Sequence, residues 1–280
     1  MRRAVGSFIF THFVRMLSPC RTHCVRICAS ISVMMEAKAR AADGLDAARA
    51  LWDDTGLTEG MRDLVREVWT TNLERHEPEE LGDSARTLGF LCYENLSARI
   101  ERRIVGHPLE ATRWGIDGLR VARPQGSLRV ELASHNYYVM KAPMGAGLQP
   151  DWGSLVSWDV ETQTRADIAM RNSRSLGGFI ASAWGQDELF DHSLPQGAVD
   201  SFLFVWAGEI VSGLTAGWLT VPVLGDTPFA AVESLWRDDE GDVYKGARRP
   251  SPAGPNFDER ESPTPALRLK PRDQGKPVGS

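Results

Sequence analysis

Four residues could do chemistry together if the fold brought them to one place. Glu131 and Lys141 stand in neighbouring strand-like runs, and Asp159 and Glu161 open the helix-like segment that follows. Carboxylates on adjacent elements can hold Mg²⁺ or Mn²⁺, which polarises a phosphate and activates water. A lysine beside them stabilises the charge that builds on the attacked phosphate. Two further residues suggest recognition without catalysis. Trp152 closes the Gly/Pro-rich loop PMGAGLQPDWG and Trp158 follows it, and an exposed indole offers a flat apolar face together with a free N–H.

Other motifs fail on spacing. Gly145-Ala146-Gly147 lacks the third glycine and the helix start that a dinucleotide loop needs, and Pro150 stands where that glycine would be. Gly213-Leu214-Thr215-Ala216-Gly217 has the glycine frame of a hydrolase elbow with threonine at its centre. The pattern continues as a strand and does not turn into a helix, so its glycines read as bulges or points of close approach. No HxxxH or HxH pair occurs, and the histidines fall at turns and element ends. Cys92 lies on an apolar helix face and reads as a small buried hydrophobe.

The elements that must position these groups follow from periodicity and punctuation. Residues 43–54, 58–76 and 84–105 carry helical apolar stripes; Thr58 and either Asp83 or Ser84 are the candidate caps, and Gly106 is the stop. Residues 119–123, 128–133 and 137–142 read as strands separated by short breaks, which favours an antiparallel meander. A helix over 161–176, strands over 202–207 and 214–221, and a final helix opening at Thr227-Pro228 complete the pattern. The expected fold is α+β: an N-terminal helical layer, then a mainly antiparallel sheet of about five strands with two further helices.

The helix, three strands, helix, strand order over 118–208 resembles the core order of the PD-(D/E)XK nuclease superfamily. The resemblance implies a divalent metal, Mg²⁺ or Mn²⁺, held by Glu131 with Asp159 or Glu161, and Lys141 acting beside it. The superfamily's acid two residues before the lysine falls here at Val139.

Charge bounds the partners. The chain of 280 residues carries a net charge of −5. Residues 1–35 hold five arginines and no acid, whereas 36–244 hold 33 acids against 19 bases, a net of −14. Such a body repels nucleic acid at long range. Residues 1–35 read as a leader or as sequence upstream of a start at Met34 or Met35; an organellar transit segment fits the same composition. Cys20, Cys24 and Cys28 in that stretch match neither zinc nor ferredoxin spacing. Residues 245–280, with seven prolines, read as a disordered Pro/Arg-rich tail. One globular domain, 36–244, remains between them. No run of 18 apolar residues exists, and Cys92 alone in the body fits a reducing, cytoplasmic setting. The leading expectation is a binding or regulatory protein, with a protein or small-molecule partner, no membrane partner and no resident cofactor. A metal-dependent phosphodiesterase is the alternative.

Overall fold

The computed structural model describes residues 34–143, 146–149, 153, 163–177, 197–225 and 227–239. The chain divides into two compact units, 1–244 and 245–280, and every described residue lies in the first. Asp159, Glu161, Trp152, Trp158 and the three N-terminal cysteines lie outside the described residues.

Three helices come first. α1 covers 34–54 and buries Ala37, Ala41, Leu45, Ala48 and Trp52. The expected helix over 43–54 is too short, because Ala41 and Ala37 continue its stripe by one and two further turns. α2 (Leu57–Leu73) buries Leu57, Met61, Leu64, Val65, Val68 and Trp69. Thr58 does not cap it. The chain turns through Gly56 at φ 71°, and the Thr58 hydroxyl donates to Asp53 Oδ1 at 2.6 Å. α3 (Ala85–Val105) begins as its sequence indicates, with Ser84 Oγ accepting from the Thr87 N–H at 3.0 Å, and it stops at left-handed Gly106.

The sheet has six strands in chain order: β1 (Arg120–Ala122), β2 (Arg129–Leu132), β3 (His135–Lys141), β4 (Ser201–Gly208), β5 (Thr215–Pro222) and β6 (Phe229–Arg237). All neighbours are antiparallel except β3 and β4. A parallel pair needs a crossover, and α4 (Gln163–Leu176) lies in that connection. The architecture is α+β, with the helical layer preceding a mostly antiparallel sheet. No described helix is long and apolar enough to cross a membrane.

One expectation is corrected. The segment from Thr227 is strand β6 and not a helix. Its alternation is broken twice by extra residues opposite Gly217/Trp218 and Val221/Pro222. Each such bulge shifts the side-chain phase by one. Phe229 and Trp236 therefore pack on opposite faces of the sheet and Val232 is exposed, so their helix-like spacing marks no common face.

The two sheet faces carry separate cores. Val130, Leu132, Tyr137, Val139, Phe202, Phe204, Trp206, Leu219 and Val221 pack with α1, α2 and α3. Tyr138, Leu203, Val205, Ala216 and Trp218 pack on the other face with Ile168 of α4. The first core is aromatic at its centre: Trp52 meets Tyr137 edge-on at 5.1 Å and Phe204 at 5.2 Å, and Trp69 meets Trp206 at 6.4 Å. Burial of each such ring contributes roughly 1.5–3 kcal/mol. Two glycines give these rings room. A Cβ at Gly208 would collide with the Trp69 ring, and one at Gly217 with the Trp236 ring.

Candidate functional site

The sheet separates Glu131 from Lys141. In the β2–β3 register Glu131 stands opposite Asn136, and Val130 opposite Tyr137. Glu131 therefore points to the α4 face, while Lys141, in phase with Tyr137 and Val139, points to the face of α2 and α3. The two are also five residues apart along β3, roughly 16 Å at the rise of a strand. Glu131 is engaged instead by Arg129, its neighbour two residues back, and by Arg120 at 3.3 Å across the β1–β2 pair. The structure does not bring these two sequence-derived site residues together, and they form no cross-strand ion pair. Among the described residues no group of three His, Cys, Asp or Glu could hold a metal ion.

Thr215, the centre of the elbow-like motif, is equally committed. Its hydroxyl donates to Asp238 Oδ2 at 2.7 Å and receives the Trp236 indole N–H at 3.2 Å. Asp238, on the chain after β6, is 5% exposed and also accepts from the Thr215 amide at 3.0 Å and from Arg66 Nε at 2.9 Å. This network clamps the end of the sheet to α2. A second network ties the segment after α3 to the helices. Burial alone would raise the Glu110 carboxyl, but hydrogen bonds and charge from Arg99 and Arg103 outweigh it and hold the group below its ordinary value.

Lys141 is different. Its ammonium lies 5.9 Å from the ring centroid of Trp69 and 5.7 Å from that of Trp206. No carboxylate pairs with it among the described residues. Its stem crosses α3 at Gly89, where an added Cβ would lie 3.3 Å from Cε. Glycine inside a helix costs about 1 kcal/mol relative to alanine, and here it leaves space for the lysine. Burial pushes the Lys141 amine below its ordinary value, against a smaller opposing influence from Cys92. Burial likewise pushes the Cys92 thiol up to about 12, so at neutral pH it is a protonated, packed side chain. Cys92 is fully buried, as its helix face indicates.

Lys141 lines a cleft of about 420 Å³ at the edge of β3. β2 begins opposite Tyr138 and the Val139 N–H still donates to Leu128 O at 3.0 Å, so β3 runs on past its partner at Met140 and Lys141. The cleft wraps this uncovered edge. Tyr93 of α3 and Lys141 stand on one side, Tyr138, Met140 and Thr164 of α4 on the other, and the turn 125–127 faces them. The turn is tied to α4 by a 2.6 Å hydrogen bond between Ser127 Oγ and Thr164 Oγ1. It is also strained at Gln125, which is left-handed at φ 51°, whereas Gly126 takes its φ of 85° freely. A left-handed non-glycine residue costs roughly 1–2 kcal/mol, and such residues gather at ligand sites. In the sequence Lys141 was legible as a candidate. The cleft was not, because Tyr93, Gln125 and Thr164 come from separate elements and share no motif.

Comparison with protein-family models, with curated proteins and with solved structures finds no match to this chain.

Proposed function

We propose that this protein binds a small, largely apolar molecule in the cleft at the edge of β3. The observation that carries this reading is the cleft itself. It has about 420 Å³ of space, tyrosine and methionine walls, and a few polar groups in Lys141, Ser127 and Thr164. That volume and that mixture suit a small organic ligand. The strained turn on its rim supports the reading further. The separation of Glu131 from Lys141 by the sheet favours binding over the metal-dependent hydrolysis that the strand order suggests. The acidic body supports a partner other than nucleic acid. The unpaired, buried thiol of Cys92 supports a reducing compartment such as the cytoplasm.

Ligand-observed NMR of an aromatic and carbonyl fragment set against the full chain tests the proposal. Fragments are expected to show saturation transfer with the wild-type protein and to lose it with Thr164→Trp, whose indole would fill the cleft. Fragments that bind both proteins equally, or no fragment that binds the wild type, would sink it.

A further inference from the structure

A half-buried amine without a counter-ion is costly unless it has work to do. Lys141 is held between two indole faces, 5.9 Å from the Trp69 centroid and 5.7 Å from that of Trp206. Its stem rests on the bare backbone of Gly89. Indole faces attract a cation, but they accept no proton and form no salt bridge. The side chain lines a cleft whose other walls are Tyr93, Tyr138, Met140 and Thr164. Cys92 is the titratable neighbour on α3, and its thiol is protonated at neutral pH. No described carboxylate reaches the amine from α2, α3 or the flanking strands.

From this placement we propose that Lys141 is a nucleophilic amine that condenses reversibly with a small aldehyde or ketone carried on an apolar body. The inference rests on the cleft reading above. The neutral amine's lone pair attacks the carbonyl carbon, and the C=O π pair moves to oxygen. The carbinolamine then loses that oxygen as water, together with both amine hydrogens, and leaves a C=N bond to Nζ. No oxidant or reductant is consumed. Lysine suits this role because desolvation disfavours its charged form and leaves the lone pair available. The lowered proton affinity of Lys141 agrees with the geometry.

The chain has an internal control. It contains five lysines, Lys38, Lys141, Lys245, Lys270 and Lys276, and Lys38 on α1 is exposed. Full-length protein is treated at pH 7 with benzaldehyde and cyanoborohydride, which traps an imine as a stable secondary amine. Peptide mapping by mass spectrometry then reads each lysine separately. Lys141 is expected to be alkylated severalfold faster than Lys38, because burial disfavours its charged form. Benzyl alcohol, the analogue without a carbonyl, is expected to slow alkylation at Lys141 and not at Lys38. Alkylation of Lys141 no faster than that of Lys38 overturns the proposal. If benzyl alcohol still shows saturation transfer that Thr164→Trp abolishes, the cleft reading survives that failure. If it shows none, both readings fall together. The comparison is made within the wild-type chain, so it does not depend on a variant folding.

Discussion

Two charges that meet α2, Asp238 at Arg66 and the half-buried Lys141 at Trp69, are treated in opposite ways. Asp238 is surrounded by donors: two guanidinium nitrogens of Arg66, the Thr215 amide and the Thr215 hydroxyl. Lys141 has two aromatic faces and a neutral thiol. A charge that serves stability is saturated with partners, because leaving it otherwise costs several kcal/mol. A charge left without them marks a place where the fold gives up stability, and such places gather at functional sites.

The comparison breaks most visibly at Asp238. Asp238→Ala leaves Arg66 and Thr215 facing an empty position. It should lower the unfolding free energy by about 3–5 kcal/mol, read as a lower urea midpoint.

The opposite sign is expected at Lys141. Lys141→Met keeps the stem and removes the amine, and should stabilise the protein at pH 7 by about 1 kcal/mol. The pH dependence sharpens this contrast. The amine loses its proton at a lower pH in the folded protein than in the unfolded chain. Between those two values the unfolded state holds one more proton, so wild-type stability rises as pH rises towards the ordinary lysine range. Below both values the full penalty is present. Urea titrations at pH 7 and pH 10 should show this rise in the wild type and its loss in Lys141→Met. An equal pH dependence in the two proteins would assign the rise to other groups.

The smallest effect concerns Gly89. Alanine there should gain about 1 kcal/mol of helix propensity, but its Cβ would press on Lys141 Cε at 3.3 Å. Gly89→Ala should therefore be close to neutral in the wild type and stabilising in a Lys141→Ala background. A double-mutant cycle should show a coupling of about 0.5–1 kcal/mol. Additivity would mean that glycine is not there to make room for the lysine.

Much of this architecture was legible because its signals are local. Ser84 and Gly106 bracket α3, the stripe from Met61 to Trp69 defines α2, and the alternation in LRVELA defines β2. β6 was not legible, since two bulges erase its period and Thr227-Pro228 imitates a helix start. The site was readable only in part. Lys141 stands out as a lone cation in an apolar strand, but its relation to Glu131 depends on register, and a strand's period of two decides which face each residue takes. The indole contacts of Lys141 come from Trp69 and Trp206, which are distant along the chain, and no spacing rule connects them.

The parallel pairing of β3 with β4 has a kinetic meaning. β1–β3 and β4–β6 are each built from antiparallel neighbours joined by short connections, so each half can zip from its own turns. Joining the halves requires the whole chain between Lys141 and Ser201 to be looped back first, which is the largest closure entropy in the sheet. Lys141 and Trp206 face each other at the end of that junction. Each half can therefore assemble while the amine still lies in water. Only when the junction closes is Lys141 set between its two indoles, so desolvation of this one side chain marks the completion of the sheet.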